Sequence, residues 1–124
     1  MKVVALKIWK KQDKLMRVLV EAGLYSSLSE CLRTAAWDYL KQVYKPMEEG
    51  KNKLADIPII EEYENQFSGS TVSITAKFPI SMINMIDLIV HQKRIFRNRS
   101  DFFRAALIGF LITDSQLFSP FLLE

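Results

Sequence analysis

The 124-residue chain repeats itself, and that repeat constrains its fold more than any other feature. Residues 3–8 read Val-Val-Ala-Leu-Lys-Ile and residues 73–78 read Ser-Ile-Thr-Ala-Lys-Phe; both are short β-favouring alternations that end in lysine and a large apolar residue. A helical pattern follows in each half, Leu15-Met16-Arg17-Val18-Leu19-Val20 matching Met85-Ile86-Asp87-Leu88-Ile89-Val90 at an offset of 70. A second helical pattern comes next. Ser27-Leu28-Ser29-Glu30-Cys31-Leu32-Arg33-Thr34-Ala35 matches Asn98-Arg99-Ser100-Asp101-Phe102-Phe103-Arg104-Ala105-Ala106 at an offset of 71. The one-residue shift falls in the loop between the helices, where an insertion disturbs least.

Each second helix has a marked start. Ser27 is an N-cap with Glu30 completing a capping box, and Asn98 and Asp101 take the same places in the second copy. Cys31, Leu32, Ala35, Ala36 and Tyr39 form one apolar stripe, and Phe102, Phe103, Ala106, Leu107 and Phe110 form the other. Pro46 is expected to stop the first of these helices, and Ser81 to cap the helix that starts after Pro79. A strand-helix-helix unit of this size has an unpaired strand and too little core to stand alone. Pairing strand with strand and helices with helices gives a mainly α fold, a two-stranded antiparallel β-ribbon on a four-helix base. Intrachain pairing is expected over pairing between chains, because the tether holds the local concentration at about millimolar. The expected organisation is a first motif over 1–45, an acidic linker over 46–70, a second motif over 71–113 and an apolar tail over 114–124.

Composition narrows the classes. The chain has 49% hydrophobic and 25% charged residues, a globular balance. Its apolar runs stop at four residues where a membrane span needs about 20. Lysines at 7, 10, 11 and 14 occupy the place of a secretory leader's apolar core, so an interior location is expected. One cysteine and one histidine leave no disulfide framework and no zinc module, and no cofactor or metal is expected. The net charge of +3 divides into +5 over residues 1–45, −4 over 46–70 and +2 over 71–124, so two basic ends flank an acidic middle. A basic surface fits a polyanionic partner, although a solvated charged face is the commoner reading at this size.

Strand 3–8, the turn and helix start Gly23-Leu24-Tyr25-Ser26-Ser27-Leu28-Ser29-Glu30-Cys31-Leu32-Arg33, the run Lys77-Phe78-Pro79 and the run from Asn98 to Leu107 resemble the ribbon-helix-helix DNA-binding proteins. The resemblance covers residues 2–40 and 72–111. It implies a prokaryotic, archaeal or viral transcriptional regulator, most often a repressor, working on double-stranded DNA in the cytoplasm or, for a virus, the host cell. Family members mostly carry one motif and dimerise, so two motifs in one chain imply an intrachain pseudodimer.

Strand alternation then assigns the reading face. With Val4, Leu6, Ile8, Ile74, Ala76 and Phe78 turned inward, Val3, Ala5, Lys7, Ser73, Thr75 and Lys77 turn outward as base-reading residues in the major groove. Lys7 and Lys77 would donate to guanine, Ser73 and Thr75 donate or accept, and Val3 and Ala5 offer apolar contact to a thymine methyl. Unlike triads predict an asymmetric operator. Phosphate binding is expected at the second-helix starts, from Ser27, Ser29, Asn98 and Ser100, with Arg97 and Arg99 beside Lys93 and Arg94 adding charge. All these positions also read as a solvated strand face and a solvated loop.

The remaining features are blander. His91 reads as a surface side chain, Cys31 as a buried thiol, and Trp37 and Tyr39 as packing residues. Asn98-Arg99-Ser100 matches a glycosylation sequon but reads as a helix cap. Nothing supports an enzyme: glycine-rich phosphate loops, paired-carboxylate clefts and nucleophile elbows are all missing. Apolar Phe118, Phe121, Leu122 and Leu123 either fold back on the bundle or carry self-association on DNA. The alternative function is an antitoxin-type interaction module whose linker, with Tyr63 and Phe67, or tail holds a protein partner.

Overall fold

The structure, a computed structural model, describes residues 1–48, 67–93 and 96–113. The element order is β1 (Lys2–Trp9), α1 (Lys10–Glu21), α2 (Leu28–Glu48), β2 (Thr71–Phe78), α3 (Ile80–Lys93) and α4 (Arg99–Thr113). The described residues are mainly helical, with four helices and a single two-stranded antiparallel sheet of β1 and β2. Strands and helices thus follow the expected order, each strand two residues longer than its sequence pattern.

Alternation along the strands decides the layering. Val4, Leu6, Ile8, Ile74, Ala76 and Phe78 are buried against the helices, while Val3, Ala5, Lys7, Ser73, Thr75 and Lys77 are all exposed. The register runs Val3 opposite Lys77, Ala5 opposite Thr75 and Lys7 opposite Ser73. Given the offset of 70, each residue of β1 faces the counterpart of the residue mirrored through position 5, and Ala5 itself faces its own counterpart, Thr75.

Beneath the ribbon, α2 packs along α4 and both reach the strands. Every residue of the two apolar stripes is buried, and Cys31 is a buried free thiol. Large and small side chains divide between the copies. Phe102 and Phe103 occupy the places that Cys31 and Leu32 hold in α2. Rings pack across the copies in mirrored fashion: Tyr25 in the first inter-helix turn lies 5.6 Å from Phe110, and Phe96 in the second lies 6.0 Å from Tyr39. Phe102 also packs on Tyr39 at 5.3 Å and Phe78 on Phe103 at 5.0 Å. Burial beside Asp101 pushes the Tyr39 phenol up to about 12, which keeps it neutral in this apolar cluster.

Helix ends follow local chemistry. Gly23, at φ 80°, closes α1: Leu24 N–H donates to Leu19 and Gly23 N–H to Val20, each at 3.0 Å, a turn that requires the left-handed backbone glycine tolerates. Ser27 Oγ accepts from Glu30 N–H at 3.1 Å and Asn98 Oδ1 from Asp101 N–H at 2.9 Å, so both expected caps form. The carboxylates reach one residue further back than a capping box requires. Glu30 accepts from the N–H and hydroxyl of Ser26, and Asp101 from the N–H of Arg97.

Several expectations change. Pro46 does not stop α2, which continues to Glu48; buried Tyr39, Leu40 and Val43 already hold the helix, and a single missing donor near its end does not outweigh that burial. Ser81 is not the cap of α3. The helix opens at Ile80 with the Pro79 carbonyl accepting from Met82 and Ile83, and Ser81 lies within the first turn. Trp37 is 48% exposed on α2 rather than packed. Phe67, which the alternative function placed in a partner-holding linker, is buried in the core. Tyr63, most of the 46–70 linker and the 114–124 tail lie outside the described residues, as does Arg94. Among the described residues, no helix is long and apolar enough to cross a membrane.

Candidate functional site

The outward ribbon face gathers all six residues singled out by alternation. In a two-stranded ribbon, every second residue turns its N–H and C=O away from the partner strand, leaving an open edge that needs partners. Lys7 and Lys77 are such residues, and each peptide is held by the second helix of the other copy. Lys7 N–H donates to Ser100 Oγ at 2.9 Å, and its carbonyl accepts from Arg104 Nη1 at 2.8 Å. Lys77 N–H donates to Ser29 Oγ at 3.1 Å, and its carbonyl accepts from Arg33 Nη1 at 2.9 Å. The lysine side chains are left exposed on the outer face while their backbones are fixed.

These anchors give Ser29 and Ser100 a role that sequence reasoning missed: their oxygens receive strand N–H groups. Arg33 and Arg104 were also missed as site residues. Their recurrence at an offset of 71 was the available signal, since a guanidinium kept in both copies beside an apolar stripe has a carbonyl or carboxylate to hold.

The expected phosphate-binding residues differ in their freedom. Ser27 and Asn98 are occupied as caps. Arg99 makes two 2.7 Å bonds to Asp87 on α3, joining α3 to α4, so its guanidinium is committed there. That pairing holds the Asp87 carboxyl below its usual range and raises Arg99. Arg97 is 84% exposed, with a long ion pair to Asp101 at 4.0 Å. Bonds from Ser26 hold Glu30 ionised to lower pH than usual. His91 is exposed on α3, away from the apolar stripe, as its sequence setting predicts.

At the end of β1 the structure shows a further group. Trp9 N–H donates to Gln12 Oε1 at 3.2 Å, and Gln12 Nε2 donates to the Arg104 carbonyl at 2.8 Å, so the fully buried Gln12 joins α1 to α4. Arg104 lies 5.9 Å above the Trp9 ring. Among the described residues, no group of three or more His, Cys, Asp or Glu side chains could hold a metal ion.

The face as a whole offers ammonium and hydroxyl donors and two small apolar side chains, Val3 and Ala5, on a backbone held from behind. Comparison with protein-family models, curated proteins and solved structures finds no match for this chain.

Proposed function

We propose that the chain is a sequence-specific double-stranded DNA-binding regulator of the ribbon-helix-helix kind, acting as a repressor by inserting its β-ribbon into the major groove. Its two motifs form an intrachain pseudodimer. The observation that carries this reading is the mirrored register about Ala5 and Thr75, together with the crossed anchors that hold Lys7 and Lys77 from the opposite copy's second helix. A ribbon of this width fits the major groove, where each base pair presents a distinct donor, acceptor and methyl pattern. Its outward residues supply matching chemistry: lysine for guanine O6 and N7, hydroxyls for either edge, and Val3 and Ala5 for a thymine methyl.

The opposed residues are unlike, Lys7 facing Ser73 and Val3 facing Lys77, so the site read is asymmetric. The test is selection of bound duplexes from a random library at about 150 mM salt, close to physiological ionic strength. An asymmetric motif is expected, and Ser73→Ala/Thr75→Ala/Lys77→Ala should relax part of it, by about 1–3 kcal/mol for each base whose hydrogen-bonding partner is truncated. No enriched sequence, or a motif untouched by the triple variant, overturns the reading.

A further inference from the structure

The two ends of the ribbon are built alike in backbone and unlike in charge. At one end lies Lys7, held by Ser100 and Arg104 of α4, and β1 passes straight into α1 through Lys10, whose N–H donates to the Ser70 carbonyl at 2.8 Å. Lys10, Lys11 and Lys14 are all exposed there, and Arg97 precedes α4. At the other end lies Lys77, held by Ser29 and Arg33 of α2. The matching positions there are Ile80, Ser81, Asn84 and Ser26. Every one of the four added cations has a neutral counterpart.

Nearby charges do not restore the balance. Asp101 and Arg104 at the first end are matched by Glu30 and Arg33 at the second, so these pairs cancel in the comparison. Asp13, the acidic residue in the first turn of α1, is engaged by Arg17 at 3.0 Å rather than by the lysines. Lys2, opposite Phe78, is an exposed cation that returns a single charge to the Lys77 end, on the strand parity of the inward residues rather than of the reading face.

Resting on the DNA reading above, we infer that the grip on the phosphate backbone is one-sided: Lys10, Lys11 and Arg97 clamp the groove wall beside the Lys7 end, while the Lys77 end contacts bases with little charge behind it. Major-groove walls are lined with phosphates, and each one neutralised by lysine or arginine releases counterions and steepens the salt dependence of binding. A polarised clamp fixes which way round the protein sits before any base is read. It also makes one half-site sensitive to salt and the other to sequence.

Ethylation interference on the selected duplex tests this, with the wild type and with Lys10→Ala/Lys11→Ala/Arg97→Ala, whose exposed side chains leave the core untouched. Blocking phosphates should cluster in one half-site and disappear in the variant. The slope of log affinity against log salt should become shallower by about 3, from about 0.9 for each of the three phosphates released. Equal interference in both half-sites, or an unchanged slope, overturns the one-sided clamp and leaves DNA binding intact. A wild type that binds no duplex overturns the DNA reading and the clamp together.

Discussion

The two strand-to-helix junctions solve one problem in different ways. At the end of β1, Trp9 carries an N–H on the open edge of the ribbon, and Gln12 accepts it; Gln12 is then buried and its own amide must donate to the Arg104 carbonyl. At the end of β2 the same position is Pro79, which has no N–H to satisfy, and the counterpart of Gln12 is buried, apolar Met82. One proline thus replaces a chain of two hydrogen bonds. The comparison teaches that a buried polar residue here answers a backbone donor, and that removing the donor lets the core close over.

The largest expected effect probes how the copies divide the core. Phe102→Ala should cost about 3–5 kcal/mol in urea unfolding, whereas Cys31→Ala, removing a single sulfur from the matching position, should cost far less. Equal losses would mean the ring cluster of α4 is not what fills the space between the copies. Next comes the junction itself. Gln12→Met orphans the Trp9 N–H and the Arg104 carbonyl and should cost about 2–3 kcal/mol. Adding Trp9→Pro to that variant removes one orphan at a backbone φ of −68°, which proline adopts, and should recover part of the loss. A double variant less stable than Gln12→Met alone would break the comparison.

The smallest effect concerns a contact that only the second copy has, since the counterparts of Asp87 and Arg99 are Arg17 and Leu28. Arg99 holds the folded carboxyl of Asp87 below its ordinary value of 3.8. A depressed folded pKa stabilises above the unfolded value and loses that contribution as pH falls through the folded one. Asp87→Asn should therefore cost about 0.5–1 kcal/mol near neutrality, less below pH 3.8, and flatten the acid side of the stability curve. Equal loss at both ends of that range would place the stabilisation elsewhere.

What the sequence reveals depends on how local the cause is. Inward and outward strand positions follow from a period of two, and all twelve fall as alternation requires. Ser27 and Asn98 cap as expected because their partners lie three residues away. The crossed anchors could not be read in advance: Ser100 meets Lys7 and Ser29 meets Lys77 only once the strands pair. Gln12 escaped notice for the same reason, since its second partner lies in the other copy. Pro46 shows the converse error, a local propensity read as decisive where the surrounding helix overrides it.

The crossed anchors grip peptide groups and leave the side chains of Lys7 and Lys77 unused. The scaffold is therefore indifferent to what stands at positions 3, 5, 7, 73, 75 and 77, provided the strand remains a strand. Like movable type locked in a frame, the six outward letters are open to being reset without loosening the forme. On the proposed reading, substitution at these few surface positions would change the sequence that is read, in each strand independently of the other.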